Sequence, residues 1–227
     1  MAAKARDCRA RVVASRRLAP AIIEVDLRMD DPPRLDFDAG QWISVPFGPK
    51  TVRAYSIAST PRDREIITLC ADVAPAGPGS RWFEALAPGA EIAFKGPLGG
   101  FVFDRADPRP PLFVAEEIGV VPIRSILKDL DETGVDRPIT LVQWAPTEEG
   151  LAYQHDFVEL VRRRPRFVYH PIVANGERLL EAAERAAPVD GSGVAYVAGG
   201  EATIKKLRAA LIARGLERKA VKWERFW

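Results

Sequence analysis

The sequence predicts two domains of different fold class, a six-stranded antiparallel β-barrel followed by a doubly wound, parallel-sheet α/β domain. Up to residue 105, apolar and polar residues alternate with a period of two between turns rich in glycine and proline. Beyond it, short apolar strands alternate with amphipathic helices at βα spacing. Three prolines within DRADPRPP, residues 104–111, interrupt both patterns, because proline ends helices and strand ladders. We therefore expect domains over residues 1–105 and 106–227.

Six short strands and one short helix make up the first domain. Between Ile23 and Met29 every second residue is apolar and the others are charged, which is typical of a half-buried strand. The other strand-like runs are RARVVAS, QWISVPF, TVRAYSIAS, EIITLCADV and EIAFK. A short helix is expected over Arg81–Ala87. This many short strands separated by turns favours an antiparallel barrel or sandwich.

The second domain alternates five strands with four helices. The strands are PLFVA, PITLVQW, FVYHPIV, GVAYVAG and KAVKWERFW, and the helices are VPIRSILKDL, HDFVELVRR, ERLLEAAERAA and EATIKKLRAALIARG. In the first of these helices, apolar residues at 123, 126, 127 and 130 share one face. Strands connected by helices in this way form a parallel sheet that is covered on both faces.

Composition excludes several function classes. In 227 residues, 47% are apolar and 28% are charged, which are values of a globular protein rather than a disordered one. The net charge of +2, without a basic stripe, argues against a nucleic-acid partner. Cys8 and Cys70 form no CxxC pair, which excludes a cysteine-ligated iron–sulfur cluster, and the two histidines leave little for a metal centre. No apolar run resembles a signal peptide or a membrane span, so we expect a cytoplasmic protein.

The segment Arg53-Ala54-Tyr55-Ser56-Ile57 carries the side chains that a flavin nucleotide needs. A guanidinium can bind phosphate, an aromatic ring can stack and a hydroxyl can donate a hydrogen bond, all within four residues. The period of two places Arg53, Tyr55 and Ile57 on one face of the strand, with Ser56 opposite or at a bend. An ordinary strand with an exposed arginine explains the same segment.

Two glycine-containing turns follow. In Gly77-Pro78-Gly79-Ser80, glycine permits close backbone approach and Ser80 is expected to cap the short helix, whose amino end would attract a pyrophosphate. A simple capped turn accounts for it equally well. The turn Gly96-Pro97-Leu98-Gly99-Gly100-Phe101 comes before the linker.

In this order, the three pieces resemble the motifs R-x-Y-S, G-x-x-S and G-P-x-G-x-F of the ferredoxin–NADP reductase-like flavoprotein superfamily. Counterparts of the family's glycine-rich loop, its C-G-P segment and its aromatic terminus are VAEEIGVVPI, YVAGGEATIKKL and KWERFW. The resemblance covers essentially the whole chain. It implies an FAD-binding barrel over residues 1–105, an NAD(P)-binding-like domain over 106–227, and FAD as the cofactor.

The resemblance also assigns roles to residues. Arg53 is expected to contact the flavin pyrophosphate, Tyr55 to stack on or edge the flavin ring, and Ser56 to hydrogen-bond near the hydride-accepting N5. Ser56 and Tyr55 are the expected catalytic residues. The residues expected to bind FAD are Arg53, Tyr55, Ser56, Ile57, Gly79, Ser80, Phe226 and Trp227. Those expected at a nicotinamide nucleotide are Gly119, Val120, Pro122, Gly199, Gly200 and Glu201.

The nucleotide loop departs from the family pattern. Glu116 and Glu117 replace two glycines, and a carboxylate about 5 Å from a phosphate charge costs roughly 3 kcal/mol at an effective dielectric near 20. If both carboxylates point at the site, NAD(P)H binding is expected to weaken by orders of magnitude, and by less if they point outward. Ala198-Gly199-Gly200 stands where Cys-Gly-Pro is usual, so the thiol beside the nicotinamide is missing.

Glu148 and Glu149 follow the strand where a 2′-phosphate clamp would need Ser and Arg, which favours NADH over NADPH. The arginines at 162, 163, 164 and 166 could replace the clamp, but a solvated helix end is the better interpretation. Histidines His155 and His170 are interpreted as structural, because hydride chemistry belongs to the flavin.

Two functions remain. The first is an FAD-dependent oxidoreductase that passes electrons between NAD(P)H and a protein or small-molecule acceptor. The alternative is a flavin-binding electron-transfer subunit with a degenerate nicotinamide site, which exchanges electrons with a partner protein. A siderophore-reductase-like protein is a minor variant, because AGGEA is similar to a segment of that group.

Overall fold

The computed structural model describes residues 4–48, 50–173, 177–188 and 190–226. Its first six strands form one antiparallel sheet in the order β4-β3-β6-β1-β2-β5. These strands are β1 (Arg6–Ala19), β2 (Ile22–Asp31), β3 (Trp42–Pro46), β4 (Val52–Ser56), β5 (Ile66–Asp72) and β6 (Glu91–Leu98). The predicted strands are all present, and the alternation of residues is visible in their alternating burial.

The six-stranded sheet is a partly open barrel. Its edge strands β4 and β5 meet just beyond β4, through the bridge between Ile57 and Leu69 and through the hydrogen bond from the Ala58 N–H to the Thr68 carbonyl (2.7 Å). Buried aliphatic and aromatic side chains fill its interior, including those of Leu27, Ile43 and Phe83.

Helix α1 spans Pro78–Glu84, three residues earlier than the predicted Arg81–Ala87. Proline at the first helical position is compatible with a helix, because the N–H that it lacks has no partner there. The helix ends at Ala85, whose N–H reaches back to the Arg81 carbonyl.

The remaining strands form a five-stranded parallel sheet in the order β11-β10-β7-β8-β9. They are β7 (Pro111–Glu116), β8 (Ile139–Ala145), β9 (Phe167–Val173), β10 (Val194–Gly199) and β11 (Val221–Arg225), and the helices are α2 (Val120–Glu132), α3 (Gln154–Arg163), α4 (Glu177–Ala186) and α5 (Glu201–Ala213). The chain builds outward from β7 to β9 and then returns to the other side of β7. The predicted fold class is therefore confirmed, and the strand order reverses between β7 and β10.

The chain divides into two compact units. One contains Met1–Phe103 with Arg124–Thr133, and the other contains Asp104–Ile123 with Gly134–Trp227. Within the first unit, Arg124 Nη1 donates to the Ala58 carbonyl at 2.9 Å and Ser125 Oγ donates to the Ser59 carbonyl at 2.6 Å. The functional division at residues 105 and 106 stays a proposal. Among the described residues, no helix is long and apolar enough to cross a membrane.

Candidate functional site

Strand β4 presents the first group of predicted site residues. Arg53 is exposed, whereas Tyr55 and Ser56 are 8% and 6% exposed and Ile57 is fully buried. The Tyr55 ring lies 5.5 Å from the Trp82 ring and 5.2 Å from the Phe83 ring, between centroids. Burial raises the pKa of the Tyr55 phenol to about 12, against the opposing effect of the nearby Arg53 charge. With so little of its ring exposed, Tyr55 can meet a flavin along an edge rather than over a full face.

The first turn of α1 lies directly beside this strand. The Tyr55 hydroxyl donates to the Gly79 carbonyl at 3.3 Å. A Cβ at Gly79 would lie 3.1 Å from the Tyr55 hydroxyl oxygen and 3.2 Å from Arg53 Cγ, so glycine permits this close approach. The structure therefore brings Arg53, Tyr55 and Gly79 together, as the sequence predicted.

The prediction that Ser80 caps α1 was wrong. The N-cap residue is Gly77, no side-chain cap is formed, and Ser80 lies inside the first turn. Pro78 at the first helical position shifts the start of the helix upstream, which moves Ser80 past the capping position. The backbone N–H groups of this first turn therefore have no side-chain cap.

The side chains of this first unit fit a flavin dinucleotide. Arg53 offers an exposed cation, the uncapped turn at Gly79 and Ser80 offers N–H donors, and Tyr55 offers an aromatic edge. Trp82, half-buried and also in contact with Phe47 at 5.2 Å between ring centroids, completes the aromatic cluster. Trp82 was not among the residues predicted to bind FAD, although its position two residues after Ser80 was a signal.

The second group of predicted site residues lies at the carboxyl edge of the parallel sheet. Gly119, Val120 and Pro122 follow β7, Gly199 ends β10, and Gly200 and Glu201 begin α5. Phe226 follows β11, and its N–H donates to the Gly199 carbonyl at 3.0 Å. Trp227 lies outside the described residues. In doubly wound sheets, ligands bind in the crevice at the point where the strand order reverses, and here β7 and β10 form it.

Glu116, the last residue of β7, reaches across this reversal point. Its Oε2 accepts a hydrogen bond from the Gly200 N–H at 2.7 Å, and its Oε1 accepts one from the Thr203 hydroxyl at 2.6 Å. Of the two orientations considered for the loop carboxylates, toward an incoming pyrophosphate or outward, Glu116 adopts neither, because both of its oxygens are bonded to the start of α5. The amino end of α5 attracts this carboxylate, because its N–H groups and helix dipole favour negative charge.

Two positions in the nucleotide loop have unusual backbone requirements. A Cβ at Gly119 would lie 2.5 Å from the Ala198 carbonyl oxygen, so glycine is needed here for contact between the loop and β10. Glu117 has a φ of +49°, a left-handed conformation that glycine adopts without strain. Glutamate therefore replaces the family's glycine here, but the backbone keeps a conformation that favours glycine.

The charged residues considered for ribose or 2′-phosphate binding lie at two opposite edges of the parallel sheet. Glu148 and Glu149 are exposed in a 3-10 turn after β8, at the carboxyl edge. Arg164 donates to the Val135 carbonyl at 2.7 Å and Arg166 pairs with Asp136, both at the edge where the strands begin. These two arginines cannot clamp a nucleotide at the carboxyl edge. His155 and His170 are exposed, on α3 and on the edge strand β9.

Glu224 is a titratable group that the sequence analysis passed over. It lies on β11 in register with Ala198, and burial raises the pKa of its carboxyl to about 7. The C-terminal segment KWERFW contains this glutamate, but its burial depends on tertiary structure. Glu201, at the same edge, shows the opposite effect, because Lys205 and Arg225 lower the pKa of its carboxyl.

The raised pKa of Glu224 predicts a pH-dependent stability. Between about pH 4.5 and pH 7 the folded state binds a proton that the unfolded state releases, so stability is lost as the pH rises through this range. We expect Glu224→Gln to match the parent protein near pH 5 and to exceed its Tm at pH 8. Thermal unfolding at both pH values measures this, with the exposed Glu181→Gln as control. An equal change of Tm with pH in parent and Glu224→Gln would contradict it.

Two family models match the chain. The oxidoreductase FAD-binding domain model matches residues 9–103, and the siderophore-interacting protein model matches residues 109–227. The chain is 34% identical over 170 residues to ferredoxin–NADP reductase B of Sorangium cellulosum, covering 74% of this chain and 70% of that protein. It is 33% identical over 167 residues to the phenol hydroxylase P5 protein of Acinetobacter pittii, covering 73% of this chain but 47% of that protein.

Solved structures share the fold. The cytochrome P450 reductase GcoB of Amycolatopsis superimposes with a TM-score of 0.86 at 22% identity, covering 98% of this chain and 70% of that one. A ferredoxin NADP+ reductase from Neisseria gonorrhoeae with bound FAD and NADP gives a TM-score of 0.80 at 19% identity, covering 99% and 100%. At these identities the likeness shows a shared fold.

Proposed function

This chain belongs to the ferredoxin–NADP reductase-like flavoprotein superfamily, and from that premise we propose that it passes electrons from NAD(P)H through FAD to an acceptor. It is a flavoprotein oxidoreductase, and FAD is its cofactor. The observation that carries the proposal is the cluster of Arg53, Tyr55 and Gly79 beside the uncapped first turn of α1.

The side chains of the barrel bind and orient the cofactor. Arg53 would hold the pyrophosphate by charge-assisted hydrogen bonds, and the N–H groups of Gly79 and Ser80 would add neutral donors. Tyr55, packed against Trp82 and Phe83, would contact the flavin ring system along an edge. When bound, FAD supplies the hydride and electron chemistry, and the protein supplies position and exclusion of water. Ser56, almost fully buried at the end of β4, is the donor we assign near the reacting nitrogen.

NADH is the nucleotide we favour as donor. Glu148 and Glu149 stand at the carboxyl edge after β8, where a 2′-phosphate would meet like charge. Arg164 and Arg166 lie at the opposite edge of the sheet, where they contact the Val135 carbonyl and Asp136, and do not offset this charge. NADPH is therefore expected to be the poorer donor.

Released cofactor tests the flavin assignment. The purified protein is expected to be yellow and to release FAD, not FMN, on heating, because the α1 turn beside Arg53 suits a pyrophosphate. Liquid chromatography of the supernatant against FAD and FMN standards measures this. Colourless protein that cannot be reconstituted with FAD would contradict the proposed function, and release of FMN alone would contradict the pyrophosphate assignment.

A second function is favoured by the position of Glu116. A chain whose nucleotide crevice is filled by its own carboxylate suits an electron-transfer subunit that is reduced or oxidised by a partner protein. The relatives named above include a ferredoxin–NADP reductase and a phenol hydroxylase protein, so a protein acceptor is the class we propose first. The match to the siderophore-interacting protein model makes a ferric chelate the small-molecule alternative. Stopped-flow reoxidation of the reduced protein by a [2Fe–2S] ferredoxin and by ferric citrate separates these acceptors.

A further inference from the structure

We propose that Glu116 is an internal ligand of the crevice between β7 and β10, and that its displacement limits the binding of a nicotinamide dinucleotide there. The proposal deepens the proposed function, and rests on it only for the identity of the nucleotide. Glu116 would then determine nucleotide specificity by occupying the binding position itself. A residue that acted by charge alone would only repel anions nearby.

The sheet topology places Glu116 at the position where a ligand would enter. β7 and β10 are neighbours, yet the chain leaves them towards opposite sides of the sheet, which opens a crevice beyond their carboxyl ends. Glu116 is the last residue of β7, and Gly200 is the first residue after β10. The side chain joins the two loops that border this crevice.

The loop after β10 is shaped to receive this side chain. A Cβ at Gly199 would lie 2.7 Å from Glu116 Cβ and 2.8 Å from Glu116 Oε2, so only glycine leaves room for the glutamate. Both carboxylate oxygens have donors, the Gly200 N–H and the Thr203 hydroxyl. The N-cap residue Gly200 has no side chain of its own, and its backbone N–H donates to the Glu116 carboxylate.

The same contacts oppose a dinucleotide. A phosphate or ribose entering the crevice would have to replace Glu116 at the Gly200 N–H, or lie against its negative charge. Glu201, next in the chain, is already paired with Lys205 at 2.6 Å and Arg225 at 3.1 Å, so these cations are committed to a neighbouring carboxylate.

Three variants separate occupancy from charge. Glu116→Ala empties the position, and Glu116→Gln keeps the shape, because the amide can bond both Gly200 and Thr203 without carrying charge. Thr203→Val keeps the carboxylate but removes one of its two anchors. Glu181→Gln, which changes an exposed glutamate of α4, is the charge-matched control.

Two readouts report on these variants. Isothermal titration calorimetry of the FAD-loaded protein with NAD+ gives binding without turnover. Anaerobic stopped-flow reduction by NADH gives the apparent dissociation constant from the concentration dependence of the rate. We expect Glu116→Ala to bind at least tenfold more tightly, about 1.4 kcal/mol, with about threefold gains in Thr203→Val and Glu116→Gln and none in the control.

The outcomes are distinguishable. Affinities within twofold of the parent in both Glu116→Ala and Thr203→Val would overturn the proposal, and equal gains in Glu116→Gln and Glu116→Ala would replace it by simple charge repulsion. Circular dichroism checks folding, and Thr203→Val alone decides if Glu116→Ala does not fold. Loss of the proposed function itself would appear separately, as a protein without FAD or one that dithionite cannot reduce.

Discussion

Replacing Arg53 by alanine is expected to raise the dissociation constant for FAD at least tenfold. Arg53 is the exposed cation of the β4–α1 cluster, with its stem against Gly79 and its guanidinium donating to the adjacent Val52 carbonyl at 2.9 Å. A lost hydrogen bond to a charged group costs about 1.5–3 kcal/mol, which corresponds to a ten- to hundredfold weaker complex. Fluorescence titration of the apoprotein with FAD measures the effect.

Two controls make this result specific. Tyr55→Phe removes only a hydroxyl bonded to Gly79 at 3.3 Å and keeps the ring against Trp82 and Phe83, so its effect on FAD binding should be smaller. Arg9→Ala removes an exposed arginine of β1 that pairs with Asp31 and should leave the affinity unchanged. Equal dissociation constants for Arg53→Ala and Tyr55→Phe would contradict the roles assigned to these residues.

Replacing Gly119 by alanine is expected to destabilise the α/β domain strongly. The new Cβ would lie 2.5 Å from the Ala198 carbonyl oxygen and 2.7 Å from its carbonyl carbon, both backbone atoms of β10. Since β10 is paired on both sides in the sheet and cannot move aside cheaply, we expect a cost of about 2 kcal/mol or more and a Tm lower by roughly 4–8 °C. Thermal unfolding followed by circular dichroism measures it.

Gly100→Ala is the matched control. A Cβ there meets nothing within 4 Å, so the substitution should be neutral or slightly stabilising. If Gly119→Ala has the same Tm as Gly100→Ala and changes only the affinity for NADH, this would contradict the prediction. Gly119 would then be required for nucleotide binding and not for the backbone contact with Ala198.

The fold was predictable because its local patterns agree with its tertiary structure. Strand β9 has the predicted bounds, and the proline-rich segment before β7 falls where one compact unit gives way to the other. The start of α1 was missed by three residues, since Pro78 was treated as part of a turn although proline is well suited to a first helical position.

The site was only partly predictable, because side-chain direction depends on residues far apart in the chain. Arg53, Tyr55 and Gly79 could be grouped from motif order, and the structure places them in contact. Glu116 bonds to Gly200 and Thr203, 84 and 87 residues further along the chain, and no local pattern contains that pairing. The burial that raises the pKa of Glu224 is likewise set by strand order.

An anaerobic titration of the FAD-loaded protein, followed by flavin absorbance near 450 nm, tests the central claim most directly. Dithionite should bleach the flavin completely, NADH should do so slowly and only at high concentration, and NADPH more weakly still. This order follows from the carboxylate of Glu116 in the crevice and from the exposed Glu148 and Glu149 after β8. Rapid, saturating reduction of the unmodified protein by micromolar NADPH would contradict the account.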